Sequence, residues 1–560
     1  MRRTPRRSAS LAFMDSLICS SMATDRLMGP LNPWNRRGSM GKHGIFAQQW
    51  ECELERWMRW NSPEAKWAVI WIAMITVFRL WFVPHLDLVG DEAHYWECGR
   101  SLDWNHYGKG PGAAFVIRIF TLLLGEHVWA VRLPAVLLSA GTGWVIFLLG
   151  RTFYSDRVGL VAVVAASVMP LFAIGSILMT IDPLSVFFWG VAALSFWSAV
   201  QTQQKRYWLL TGVWVGLGFQ CKYTNAAELI SFALFLLLTP ERRRYLISGK
   251  MFLLLFVFGL LALPIVIWNA FYGWVTAMHV FEGGDLNRGF HPDWGKFAGF
   301  WLLQAVVVSP VLFLLMLFGS LRPSHGKHGR EGSIYLLSLF WPLFASYAWI
   351  SLNKTANGNW TAPALLAGLI LGTAWTVQKI QSGAKGWRWV AVVGLIIGFT
   401  ETALLHDFLP LHFKNNPLDR AKGWKDLAGE AEKVRRQIGA DFVVADEYQT
   451  ASLLSFYLPD QPRAFTPDWP QIMTQYSLWP SYREKYTNGS TGLYVAEQPN
   501  ALPPILRDFE QVRIISTYRR STWGQPTGPT FHFYECRGLK SGQPTSWRDR
   551  LEYTRQQNKP

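Results

Sequence analysis

Residues Leu88–Phe115 read LVGDEAHYWECGRSLDWNHYGKGPGAAF, and the placement of this stretch decides the fold. It lies between two strongly apolar segments, yet it carries groups that hydrocarbon rejects. Asp91 and Glu92 stand side by side, His94 and His106 follow, and Lys109 sits among glycines beside Pro111. Buried in lipid, these charges would each cost several kcal/mol, roughly 2.5–3.5 on insertion scales. The stretch is therefore read as a loop at a membrane face, and the flanking apolar runs as membrane spans.

Composition agrees. Half of the 560 residues are hydrophobic and only 16% are charged, against about 25% charged in typical soluble proteins. The 30 tryptophans suit a protein with two bilayer interfaces to line. A net charge of +16 would fit a nucleic-acid partner, but the basic residues cluster beside apolar runs. That is the pattern of a positive-inside bias, so no nucleic-acid partner is expected. The five cysteines have no metal-ligand spacing and imply no disulfide framework.

Starting at Trp67, apolar segments long enough for a crossing follow at 128–150, 157–176, 182–200, 206–221, 224–239, 250–271, 297–319, 333–351, 360–378 and 388–405. The count is about eleven spans, or thirteen if segments such as 113–124 also enter the membrane; those at 206–221 and 224–239 are short for full crossings. Arg151 and Arg157, Lys205 and Arg206, Arg242-Arg243-Arg244, Arg322, Lys327 and Arg330, and Lys379, Lys385 and Arg388 mark one side as cytoplasmic. The Arg-rich first 65 residues fall on the same side and read as a poorly ordered basic tail, since Asp15 and serines interrupt the apolar core a signal peptide needs. Loop 85–127 and everything after His406 then face outward. The expected fold is an α-helical polytopic membrane protein over 66–405, followed by an extracytoplasmic α/β domain over 406–560. In the latter, GWKDLAGEAEKVRRQI reads as an amphipathic helix, and DFVVADE, LLSFYL, TGLYVAE, VRIISTYR and FHFYEC as strands.

Chemistry concentrates on the outward side. Asp91 and Glu92, approached by apolar sequence and by Tyr95, Trp96, Trp104 and Tyr107, are candidates for general-base work, although a solvated acidic turn has the same composition. Lys109 suits either a lipid headgroup or the phosphate of a bound substrate. Asp182, at the start of a span with Pro183 behind it, is either a helix cap or a second acid facing Asp91. Lys222, between two short apolar runs, needs a cavity or a partner. The loop AMHVFEGGDLNRGFHPDW offers Arg288 as a further phosphate-binding cation and His279 as a cavity-lining residue. His279 and His291 have no carboxylate at a fixed spacing and read as loop histidines rather than metal ligands. Asn359 and Trp360, in ANGNWTAP, are placed at the outer interface as cavity-lining residues.

Taken together, GDEAHYW (90–96), YGKGPG (107–112), VRLPAVL (131–137), TIDPL (180–184), CKYT (221–224), LPIVIWNAFYGWV (263–275) and NWTAP (359–363) resemble the bacterial members of glycosyltransferase family 39. This family has the GT-C fold and includes relatives of protein O-mannosyltransferases and lipid A aminoarabinose transferases. The resemblance covers roughly residues 68–405. It implies inverting transfer of a sugar from a polyprenyl-phosphate donor to a hydroxyl at the outer face of a bacterial inner membrane. It further implies that Asp91 activates the acceptor, that Asp182 is a second acid in the cavity, and that Lys109 and Lys222 lie near the donor phosphate. Asn359 and Trp360 match a late outer-loop motif. The acceptor, be it glycolipid, polysaccharide or protein, is left open.

Two positions depart from the family pattern. Gly108 stands where metal-binding relatives supply an acidic ligand, so a divalent metal is disfavoured and no other cofactor is expected. Gly110 replaces the first proline of a Pro-Pro pair, which predicts a more mobile loop. The rival readings are a flippase for a lipid-linked sugar and a catalytically inactive relative. Transporters place functional charges near the midplane and often show internal repeats; here the charges gather in outer loops and no repeat is visible.

Overall fold

The computed structural model describes residues 62–283, 290–408, 416–497, 503–522, 527–542 and 545–557. The basic N-terminal tail up to residue 61 and Arg288 lie outside the described residues.

Short polar caps set several helix starts. Ser62 caps α1 (Pro63–Phe82) by accepting from the Ala65 N–H at 3.2 Å, with Pro63 in the first turn where its missing N–H is not needed. The chain continues through α2 (Gly90–Arg100), α3 (Gly112–Leu124), α4 (Val128–Phe153), α5 (Asp156–Ser167) and α6 (Pro170–Gly175). Then come α7 (Ile181–Thr202), α8 (Lys205–Cys221), α9 (Ala227–Leu238), α10 (Gly249–Phe271) and α11 (Val275–Gly283). The helical part ends with α12 (Trp294–Val308), α13 (Pro310–Leu321), α14 (Gly329–Ile350), α15 (Ala362–Gln381) and α16 (Lys385–Leu405).

Among the described residues seven helices, α1, α4, α7, α10, α14, α15 and α16, are long and apolar enough to cross a membrane. An eighth crossing results if α12 and α13 count as one span bent by 108°. The bend has a cause: Ser309 takes φ 79° and Pro310 cannot continue the helical ladder. The structure thus has fewer membrane-length helices than hydropathy predicts. The segment at 157–176 is broken before Pro170 into α5 and α6, α8 has 17 residues and α9 has 12, all short of the ~20 residues that a full crossing needs. Lipid-facing surfaces are nonetheless evident. Trp67, Ile70, Met74, Val77 and Trp81 of α1 point outward, as do Phe252, Phe256, Leu260, Leu263 and Ile267 of α10. α15 is the opposite case, buried continuously from Ala362 to Val377.

After Asn416 the chain forms a sheet unit: α17 (Trp424–Ile438), β1 (Phe442–Ala445), α18 (Tyr448–Tyr457), β2 (Gly492–Ala496), β3 (Phe509–Arg519), β4 (Thr530–Leu539) and α19 (Trp547–Gln557). The strand order is β1-β2-β4-β3, with β1 and β2 parallel and the remaining pairs antiparallel. Both faces of the sheet are covered. Val443, Ala445, Leu493, Val495 and Phe533 pack with α17 and α18, while Phe442, Val444, Tyr494, Tyr534 and Cys536 pack around Tyr482 on the other side. One strand expectation fails: LLSFYL belongs to α18. Ala451 and Leu454 of this helix enter the sheet core, whereas Leu453 and Phe456 enter a cluster with Trp96 of α2. A helix apolar on two sides shows no clear period in a six-residue window.

Helix α18, together with Ala421 and Trp424, fixes the start of the Leu88–Phe115 stretch. The Leu88 N–H donates to the Tyr457 hydroxyl at 2.7 Å, the Asp87 N–H to the Ala421 carbonyl at 2.9 Å, and the Trp424 N–H to Asp87 Oδ2 at 2.8 Å. From the bundle side, Arg132 of α4 donates to the carbonyls of Leu86 (3.0 Å) and Asp87 (2.6 Å). The backbone ahead of Asp91 is therefore held from both directions.

Candidate active site

Asp91 and Glu92 are neighbours in sequence but lie in opposite surroundings. Both occupy the first turn of α2, where successive side chains diverge by about 100°. Glu92 is fully buried. Its carboxylate accepts from Arg132 Nε (2.8 Å) and Nη2 (2.6 Å), from the Val89 N–H (3.0 Å) and from the Met179 N–H (2.8 Å). With its lone pairs engaged and no access to solvent, Glu92 is a structural anchor. The expectation that it is a catalytic carboxylate is corrected. Asp91 instead lines a cavity of about 840 Å³ where the helical bundle meets the sheet unit. Tyr448 of α18 is close enough to Asp91 that burial, followed by the charge of Asp91, pushes its phenol well above its ordinary value.

Asp182 and Asn359 line the same cavity. Thr180 serves as the N-cap of α7, its hydroxyl accepting from the Asp182 N–H at 3.3 Å, so the Asp182 carboxylate is not needed as the cap. It accepts from Lys222 Nζ at 2.8 Å through Oδ1 and from Asn359 Nδ2 at 2.7 Å through Oδ2. Lys222 is delivered by the end of α8, where the backbone leaves the helix in an extended conformation at φ −145°. Its ammonium also reaches the Asn359 carbonyl at 3.4 Å. The structure therefore joins three segments that the sequence separates by up to 177 residues.

Lys109 is exposed, and among the described residues it makes no ion pair. Its charge reaches Asp182, His94 and His279. Burial first, then the charges of His106 and Lys109, push His94 down to about 3, so its imidazole is neutral at physiological pH. Burial and then Lys109 likewise lower His279. Tyr107 and His279 do not line the large cavity; their rings meet at 4.8 Å beside the loop, because the Tyr107 N–H is drawn to Gln475 Oε1 at 2.7 Å. Trp360 is also off the cavity wall, packed 5.3 Å from the Tyr347 ring. Among the described residues no group of three His, Cys, Asp or Glu side chains converges at metal-binding range.

The glycines of the Lys109 loop serve close packing rather than freedom. A Cβ on Gly110 would stand 2.1 Å from the carbonyl oxygen of Gln220 at the end of α8. Loss of the Pro-Pro pair is thus offset by direct contact, contrary to the mobility expected from the sequence. Gly110→Ala is predicted to destabilise the protein by about 1–3 kcal/mol and to weaken turnover. Thermal unfolding in detergent and a transfer assay check both outcomes.

Sequence reasoning passed over Arg79 and Arg420, which line this cavity, and over Tyr448, which is close to Asp91. Arg79 had a visible signal, an arginine within the apolar run TVFRLWF. Tyr448 had none, since its role depends on α18 lying across α2.

The architecture, a membrane bundle followed by a sheet unit, is of the GT-C type, and the chain is similar to known glycosyltransferases. Residues 108–268 match the family model described as dolichyl-phosphate-mannose-protein mannosyltransferase. The chain is 26% identical over 403 residues to the lipid A galacturonosyltransferase RgtD of Rhizobium johnstonii, covering 70% of this chain and 82% of that protein. It is 25% identical over 347 residues to an undecaprenyl phosphate-alpha-4-amino-4-deoxy-L-arabinose arabinosyl transferase of Pseudomonas aeruginosa, covering 56% of this chain and 60% of that one. In three dimensions it is similar to ArnT from Cupriavidus metallidurans bound to undecaprenyl phosphate. That likeness has a TM-score of 0.57 and 13% identity, over 84% of this chain and 98% of that one.

Proposed function

We propose that this protein transfers a sugar, with inversion, from a polyprenyl-phosphate donor to a hydroxyl of an envelope glycolipid at the outer face of the bacterial inner membrane. The observation that carries the reading is the joint presence of Asp91, Asp182 and Asn359 on one cavity wall, with Lys222 bound to Asp182 and Lys109 nearby. Similarity to transferases named for lipid A and for undecaprenyl phosphate supports the substrate classes.

Each residue then has a distinct task. The acceptor hydroxyl attacks the anomeric carbon through an oxocarbenium-like transition state. Asp91, near Tyr448, takes the hydroxyl proton as the new C–O bond forms. The bond to the polyprenyl phosphate breaks on the opposite face of the sugar. The departing phosphate already carries negative charge, so cations assist it rather than an acid. Lys109, without a carboxylate partner among the described residues, is assigned most of that stabilisation. Lys222 shares its charge with Asp182 and positions that carboxylate and Asn359. We assign the basic N-terminal tail to the cytoplasm and the sheet unit to the periplasm from the distribution of Arg and Lys.

The direct test is purified full-length protein with a radiolabelled polyprenyl-phosphate sugar and a cell-envelope lipid extract. A new alkali-stable glycosidic product is the expected result. Movement of labelled donor across liposomes with no new bond would replace this reading with a flippase. Lys109→Ala should raise the donor KM by about 10–100-fold, the value of one charge-assisted hydrogen bond, while the acceptor KM changes little. The reverse pattern would remove Lys109 from the donor side.

A further inference from the structure

Two arginines, Arg79 and Arg420, line the cavity, whereas neither Lys109 nor Lys222 does. Arg79 belongs to the membrane-length helix α1 and is only 9% exposed. Its guanidinium donates to the Ser139 hydroxyl of α4, and among the described residues no carboxylate pairs with it. An ionised side chain inside a membrane span is costly unless it faces a partner or a polar cavity, and such residues mark sites of function. Arg79 faces the cavity that holds Asp91. Arg420, which follows the bundle in the chain, lines the same cavity and is likewise without a carboxylate partner among the described residues. Its charge reaches Tyr448, which also feels the charge of Asp91.

The walls around this pair are those of a lipid site. Trp71, Ile72 and Ile75 of α1, Ile146 of α4 and Val163 of α5 continue the cavity as an apolar surface along the bundle. A ligand suited to it has an acidic headgroup and hydrocarbon chains. Two guanidiniums on one cavity favour a group that carries more than one negative charge and several acceptor oxygens, which is phosphate rather than carboxylate.

From this we infer that Arg79 and Arg420 form a binding site for a phosphate on the headgroup of the acceptor lipid, setting its hydroxyl against Asp91. The site is separate from Lys109, which is assigned to the donor phosphate, and from Lys222, which positions Asp182 and Asn359. The inference rests on the proposed glycosyl transfer for its view of which lipid is acceptor, and a binding measurement keeps the two separable.

Full-length protein in phosphatidylcholine nanodiscs would be titrated with radiolabelled lipid A carrying its phosphates, with the same lipid after enzymatic dephosphorylation, and with undecaprenyl phosphate. Inorganic phosphate would serve as a soluble competitor. The wild-type protein is expected to hold phosphorylated lipid A at least tenfold more tightly than the dephosphorylated form. Arg79→Gln and Arg420→Gln should each erase most of that preference and leave undecaprenyl phosphate binding unchanged. Arg79→Lys should retain part of it. Arg420→Gln, at an exposed position, gives the answer even if Arg79→Gln fails to fold. Loss of undecaprenyl phosphate binding in the arginine variants would overturn the inference by moving the pair to the donor. So would full displacement of lipid A by inorganic phosphate at equal concentration, since the site would then recognise the free ion. Equal binding of both lipid A forms by the wild type would also overturn it. Arginine-dependent binding without transfer activity would leave this site standing and count against the glycosyltransferase reading.

Discussion

Asp91→Asn is expected to lower kcat by about 10²–10⁴-fold, the usual value of a positioned general base, with little change in the KM for either lipid. The substitution is nearly isosteric, and the loop is held through Asp87, Leu88 and Glu92, so it should keep its place. What is lost is the ability to take a proton from the attacking hydroxyl. Asp182→Asn is the informative comparison. It leaves the Asn359 contact available but removes the counter-charge of Lys222. Its effect should be smaller on kcat and should extend to KM. Single-turnover transfer with purified variants separates the two. Wild-type turnover by Asp91→Asn would remove Asp91 from the chemistry altogether.

The largest effect on stability should come from Arg132. Its guanidinium and the Glu92 carboxylate are both fully buried and contact through Nε and Nη2, and the same side chain holds the carbonyls of Leu86 and Asp87. Arg132→Leu leaves Glu92 buried without its counter-charge, which typically costs about 3–5 kcal/mol. A lower unfolding temperature in detergent and loss of activity are expected together, because the loop ahead of Asp91 is released. The double substitution Arg132→Leu with Glu92→Gln should recover part of the stability, since no buried charge is then orphaned. Recovery of stability without recovery of turnover would separate the anchoring of the loop from the integrity of the bundle. If Arg132→Leu unfolds like the wild type, the ion pair is not the anchor described.

Much of this site was legible before any coordinates. The charge-rich loop between apolar runs singled out Asp91, which lines the cavity, and the isolated Lys222 announced its need for a partner, which proved to be Asp182. Residue type could not distinguish Asp91 from Glu92. They differ in which way the first turn of α2 points them, and that is set by Arg132, 40 residues further on. Hydropathy also read as membrane-length several segments that the structure divides into shorter helices, such as α5 and α6 or the 17-residue α8. The α18 helix misled for a different reason: it is apolar toward both the sheet and α2, so neither a helical nor a strand period stood out.

The clamp on the loop also bears on biogenesis. Trp424 is 337 residues downstream of its acceptor Asp87, and the Tyr457 hydroxyl is 369 residues downstream of Leu88. When the loop leaves the ribosome, the groups that will hold it have not yet been synthesised. The membrane helices can insert and pack first, but the loop bearing Asp91 gains its final contacts only after the sheet unit has been made and folded against it. Such long-range contacts are slow to form because chain closure precedes their reward. A chain truncated before Trp424 would keep its helices and lose the order of that loop, so a half-made copy inserts without being armed.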